Sequence, residues 1–142
     1  MIVRDFRPDD FQQVMELWAT TGIYNEQRGD TVESINQCNR QGGRFLVLED
    51  PETRTIAGTS WMTYDGRRVY LHHFAIGPQL QGHGWGRALA LESLTFARQK
   101  GCPVKLEVQP GNHRAVQLYR ELGFTKLGDY NVYILPNPSP PK

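Results

Sequence analysis

Gln81-Gly82-His83-Gly84-Trp85-Gly86-Arg87-Ala88-Leu89 sets three glycines at alternate positions and then runs directly into an apolar helical pattern. Glycine has no Cβ, so such a loop turns tightly and lets a ligand come up against the backbone. The first turn of the helix that follows presents N–H groups without intrahelical partners, and these carry partial positive charge. A bare loop feeding a helix start therefore suits a phosphate group. The segment does not match the dinucleotide fingerprint, because the position where its last glycine is required falls on Arg87 or Leu89. No Gly-Lys-Ser/Thr follows any glycine either, which removes the nucleotide-triphosphate loop. On this segment alone a flexible turn and a phosphate cradle stand level.

Working outward, Val69 to Ile76 reads as a strand stopped by Gly77-Pro78, and a helix runs from about Gly84 to Lys100 with Leu89, Leu91, Leu94 and Ala97 on its apolar face. Gly101 ends it. Toward the N-terminus, Ile2 to Phe6 alternates like a strand. Phe11, Val14, Met15 and Trp18 fall at i, i+3, i+4, i+7 on one helical face that closes at Gly22. Thr31 caps a second, shorter helix ending near Gly42-Gly43. Strands are expected at Phe45 to Glu49 and Ile56 to Tyr64, with Asp65-Gly66 as a hairpin turn into Val69. Beyond Gly101, Val104 to Val108 is a strand. Asn112 caps a helix carrying Ala115, Leu118, Tyr119 and Leu122, and Gly123 closes it. Phe124 to Leu127 and Asn131 to Leu135 read as two final strands. The order is β-α-α-β-β-β-α-β-α-β-β, a mixed α/β chain with an antiparallel meander followed by a parallel strand-helix-strand unit.

The 142 residues suit one domain, 1–135, with a proline-rich tail at 136–142. A net charge of +1 argues against a non-specific nucleic-acid binder. Cys38 and Cys102 fit no metal or redox spacing. His83 and His113 lack the partners of a metal site, so no metal is expected. The charged N-terminus does not read as a signal peptide, and no apolar run approaches the roughly 20 residues of a membrane span. The expected setting is the cytoplasm.

Four pieces in order carry a resemblance. They are Phe74-Ala75-Ile76 before the loop, Gln81-x-x-Gly84-x-Gly86, the Leu106-Glu107-Val108 strand, and Asn112-x-x-Ala115-x-x-x-Tyr119 leading to Leu122-Gly123-Phe124. The set resembles the GNAT superfamily of acetyl-CoA-dependent N-acetyltransferases, over Ile2 to about Leu135. The resemblance implies a central mixed, mostly antiparallel sheet of about seven strands, with one splayed parallel pair and four flanking helices. It implies that backbone groups of Phe74, Ala75 and Ile76 hold the pantetheine arm. Gln81, Gly82, His83, Gly84, Trp85, Gly86 and Arg87 would form the diphosphate loop, and Asn112 would touch the cofactor or cap its own helix. Trp85 stands where the family usually has an aliphatic residue.

The resemblance further implies an amine acceptor attacking acetyl-CoA directly, and Tyr119 as the acid that protonates the leaving thiolate. The acceptor ammonium must first lose a proton. Glu107 and His72 are the candidate bases, Glu107 placed slightly ahead. Period-two alternation puts His72 on the face of Phe74 and Ile76, and turns His73 away to pack against a helix. Tyr24, Glu26 and Asp30 lie in the loop where such folds build the acceptor site, though a solvated loop is the plainer reading. Small-molecule amines and protein amines both remain possible acceptors, and monomer and homodimer both remain open. The rivals are a non-catalytic acyl-CoA sensor and a nucleotide-binding α/β protein.

Overall fold

The computed structural model describes residues 1–23 and 29–139 and divides into two compact units, residues 1–107 and 108–142. In the first, β1 (Ile2–Asp5), a 3-10 turn, α1 (Phe11–Thr21) and α2 (Val32–Arg40) lead into a meander of β2 (Arg44–Asp50), β3 (Thr55–Tyr64) and β4 (Val69–Ile76). A second 3-10 turn, α3 (Trp85–Lys100) and β5 (Val104–Leu106) follow. The strands lie in sequence order, β1-β2-β3-β4-β5, antiparallel up to β4 and parallel between β4 and β5. The second unit holds α4 (His113–Glu121).

The helices form where the sequence places apolar stripes. Val14, Leu17 and Trp18 of α1 and Ile35 of α2 are buried with Phe45, Val47, Trp61 and Ala75 of the sheet, and Phe11 and Met15 pack at the margin. α3 covers the other face, where Ser93 and Ser60 share a hydrogen bond at 2.7 Å. Both faces of β2 are therefore covered. Its Phe45-Leu46-Val47-Leu48 run is buried throughout, which is why it is apolar at every position instead of alternating. Thr31 caps α2 by accepting the Ser34 N–H at 3.1 Å. Asp65 folds the hairpin by accepting the N–H groups of Arg67 and Arg68, each at 2.8 Å. Both cysteines are free. No described helix is long and apolar enough to cross a membrane.

Three expectations are corrected. The sheet has five strands, not about seven: Phe124 to Leu127 and Asn131 to Leu135 join no ladder among the described residues. Val132, Tyr133, Ile134 and Leu135 are all more than two-thirds exposed. Strand-like composition states what a segment could bury, while a strand also needs a partner's N–H and C=O groups. Leu91 is 44 % exposed and lies off the buried face of α3, which is carried by Leu89, Ala90, Ser93, Phe96 and Ala97. The third correction concerns β4.

Candidate active site

β4 does not alternate regularly. Trp61 of β3 stands opposite His72 and Thr59 opposite Ala75, so Ser60 alone faces His73 and Phe74. This is a β-bulge, with His73 in the left-handed region at φ +47°. The extra residue shifts the parity of the strand. His72 shares a face with Ala75, and Ile76, opposite Gly58, lies on the other face. The expected grouping of His72 with Ile76 is thereby overturned.

A buried relay fixes the bulge. The Trp18 indole N–H donates to the Thr59 hydroxyl at 2.9 Å, and that hydroxyl donates to the His73 carbonyl at 2.7 Å. The His73 ring packs against Trp18 of α1 at 4.4 Å and against Trp61 at 5.4 Å between centroids. His72 is exposed; its Nε2 lies 2.8 Å from the Thr63 hydroxyl and its ring stacks on Tyr70.

The parallel ladder is short. It joins Val69, Tyr70 and Leu71 to Val104, Lys105 and Leu106, after which β5 ends while β4 continues to Ile76. The ladder therefore ends at Leu71 and Leu106, and the segment Phe74-Ala75-Ile76 that the sequence singles out lies beyond it. Glu107 follows β5 directly and is exposed.

The glycine loop leaves the end of β4. Gln81 turns its amide back to donate to the Ile76 carbonyl at 3.0 Å, which ties the loop to the strand. Gly82 and Gly84 have φ of +84° and +86°, a conformation that excludes ordinary side chains, and a Cβ at Gly84 would project into open space. The first helical bond of α3 runs from Ala88 N–H to Gly84 C=O at 3.1 Å. By helix geometry the Trp85 and Gly86 N–H groups precede that ladder and point out of the helix end. Gly82, His83, Gly84 and Arg87 are exposed, while Trp85 and Gly86 are half-buried. An exposed loop of this shape has the room and the donors to hold a diphosphate.

In the second unit, Asn112 caps α4 by accepting the Ala115 N–H at 3.2 Å. Tyr119 is 7 % exposed and meets Phe124 edge-on at 5.6 Å. Burial pushes its phenol up to about 12, so it is a proton donor at neutral pH. Tyr24 and Glu26 lie outside the described residues. Asp30 is half-buried, with a carboxylate oxygen 3.1 Å from His73 Nε2. The sequence did not bring His73 and Asp30 together; the fold does. A groove of about 310 Å³ between α1 and the strand ends, floored by Leu17, Ile56 and Gly77, includes none of the residues expected in the site.

The acetyltransferase (GNAT) family model matches residues 11–124, most of the chain, and the protein belongs to that family. Among solved structures, it is similar to a GNAT-family acetyltransferase of Staphylococcus aureus (TM-score 0.80, 14 % identity, covering 89 % of this chain and 85 % of that one). It is also similar to an acetyltransferase of Trypanosoma brucei (0.77, 21 %, covering 94 % and 99 %). A third likeness is to an acetyltransferase of Streptococcus agalactiae (0.77, 20 %, covering 96 % and 92 %). The family uses acetyl-CoA as co-substrate and acts on amine acceptors.

Proposed function

We propose that this protein transfers the acetyl group of acetyl-CoA to a primary amine by direct attack in a ternary complex, with residues 1–135 working as one domain. The observation that carries the reading is the end of the β4–β5 ladder at Leu71 and Leu106, with β4 running on through Phe74-Ala75-Ile76 to a glycine loop and a helix start without a side-chain cap. A strand edge that runs on past the end of its parallel ladder accepts an extended amide chain as a further strand would, which suits the pantetheine arm. The Phe74 N–H stabilises the acetyl oxygen as it becomes negative. N–H groups from Gly82 to Arg87 hold the diphosphate, Gln81 steadies the loop, and Asn112 orders the start of α4.

Tyr119 is the proposed acid toward the thiolate. A phenol held near 12 gives its proton uphill to a thiolate whose thiol has the ordinary value, about 8.5, so donation belongs with C–S cleavage rather than after it. Glu107 and His72 are proposed bases. Calorimetric titration with acetyl-CoA, with NAD and ATP as controls, tests the reading. Saturable one-site binding of acetyl-CoA alone supports it, and a folded sample that binds none overturns it. Tyr119→Phe is expected to lower kcat and leave acetyl-CoA affinity intact; unchanged turnover across pH removes the acid role.

A further inference from the structure

We propose that His73, backed by Asp30, is the group that takes the acceptor's proton, directly or through one water. The inference rests on the acetyl-transfer reading and sets a third base beside Glu107 and His72. His73 lies at the bulge of β4, two residues past Leu71, where the parallel ladder with β5 ends. Its side chain is 10 % exposed. Nε2 lies 3.1 Å from Asp30 Oδ2, close but not aligned as a hydrogen bond, and neither ring nitrogen has a hydrogen-bond partner among the described residues. The indole Nε1 of Trp61, packed against the same ring, is also buried without a partner among the described residues. Buried polar atoms without partners are rare in folded proteins because each costs about 1–3 kcal/mol, so a cluster of them marks a place where a polar guest belongs.

The strained backbone points the same way. A histidine in the left-handed region costs on the order of 1 kcal/mol, and residues held so gather at functional sites. Here the Trp18–Thr59 relay holds the strain and aims the ring. Asp30, beside the Thr31 cap of α2, gives an arriving proton a counter-charge. Cys38 on α2 also faces Asp30; its thiol is pushed up by burial and by Asp30 itself and stays neutral. With Nε2 turned to Asp30, Nδ1 is the lone pair that accepts. One proton of R–NH3+ passes to Nδ1, and the amine nitrogen bonds to the thioester carbon. The C–S bond then breaks, the nitrogen loses its second surplus proton, and the thiolate is protonated.

His73→Asn tests this, because asparagine tolerates the left-handed conformation. With saturating acetyl-CoA, two small acceptors are compared at neutral pH: methylamine, an ammonium ion that must be deprotonated, and hydroxylamine, largely unprotonated. The expected loss with methylamine is about 100-fold or more, and with hydroxylamine about tenfold or less. Asp30→Asn should show the same asymmetry more weakly. Equal losses with both amines mean a structural role, and no loss means no role; either overturns the proposal. Nitrogen NMR of the histidine rings in the full chain gives a second reading. An unprotonated Nδ1 in the neutral ring, altered by Asp30→Asn, supports the proposal, and a protonated Nδ1 overturns it even where neither amine is turned over. Calorimetry keeps the two ideas apart. Failure of the wild type to bind acetyl-CoA sinks the acetyl-transfer reading, whereas normal binding by His73→Asn with no amine asymmetry sinks only the base.

Discussion

Thr59→Val removes one hydroxyl from a fully buried position and nearly preserves its shape. That hydroxyl accepts the Trp18 indole N–H at 2.9 Å and donates to the His73 carbonyl at 2.7 Å, so the substitution strands two buried polar groups. Each stranded group costs about 1–3 kcal/mol. Burying a methyl in place of a hydroxyl returns about 0.8 kcal/mol. Relaxation of His73 from φ +47° returns about 1–2 kcal/mol. The net expectation is a loss of about 2 kcal/mol. With an m-value of about 2 kcal/mol/M, the urea midpoint falls by about 1 M. The assay is equilibrium unfolding in urea followed by tryptophan fluorescence, with the m-value unchanged. Trp18→Phe in the same background completes a double-mutant cycle. Once the indole N–H is gone Thr59→Val strands one group fewer, so the two losses should fall short of additive by about 1 kcal/mol. Strict additivity, or a single-mutant loss below about 0.5 kcal/mol, would show that the relay does not hold the bulge.

Arg4→Met should flatten the acid limb of stability. Arg4 bonds Asp10 at 2.8 and 2.9 Å and Glu49 at 2.8 Å. Burial alone would raise the Asp10 carboxyl, but the Arg4 guanidinium and the Arg7 N–H outweigh it, and Arg4 likewise lowers Glu49. Folded values below the ordinary ones, about 4, give stability that is present above that pH and lost as pH falls through the folded values. A variant with the wild-type acid slope would place its source elsewhere. Gly84→Ala meets open space but must adopt φ +86°, at a cost of about 1 kcal/mol of stability. Acetyl-CoA should bind it about tenfold or more weakly, a loss of about 1.4 kcal/mol, while S-acetyl-N-acetylcysteamine, which has no diphosphate, binds as before; equal weakening of both argues against a phosphate loop. Tyr119, raised to about 12 by burial, contributes stability that is complete below pH 10 and lost as pH rises to about 12, on the order of 3 kcal/mol in all. Tyr119→Phe should remove that alkaline decline, and a decline that persists assigns it to other groups.

Most elements could be read in the sequence because each has a local cause. The stripe of Phe11, Val14, Met15 and Trp18 needs only helical spacing to declare a buried face, and α1 buries it. Asp65-Gly66 makes its turn with its own carboxylate. Gly22, Gly101 and Gly123 close helices at φ of +78°, +70° and +98°, where a side chain would be strained. The failures are the features that depend on a distant partner. Asn131 to Leu135 has strand composition, but pairing is a property of two segments. Leu91 has the composition of a core residue, yet only the lie of α3 on the sheet turns it outward.

The site divides along the same line. The shape of the glycine loop was legible because it is backbone geometry: Gly82 and Gly84 stand where φ is positive. The bulge was not: period-two alternation turned His73 to pack against a helix, as it does against α1, but it also grouped His72 with Ile76, and the extra residue separates those two. Nothing within Val69 to Ile76 announces a bulge; the left-handed residue is a histidine, not a glycine. The cause lies on two other elements, where the Trp18 indole and the Thr59 hydroxyl, 41 residues apart, together hold the His73 carbonyl. His72, opposite Trp61 just before the bulge, is exposed beside Thr63 and Tyr70, while His73 at the bulge packs against two indoles with Asp30 beside it. A strand read alone makes His72 the more available base. Read against the elements that hold the bulge, His73 is the imidazole held in place, and the exposed histidine is the one that solvent can replace.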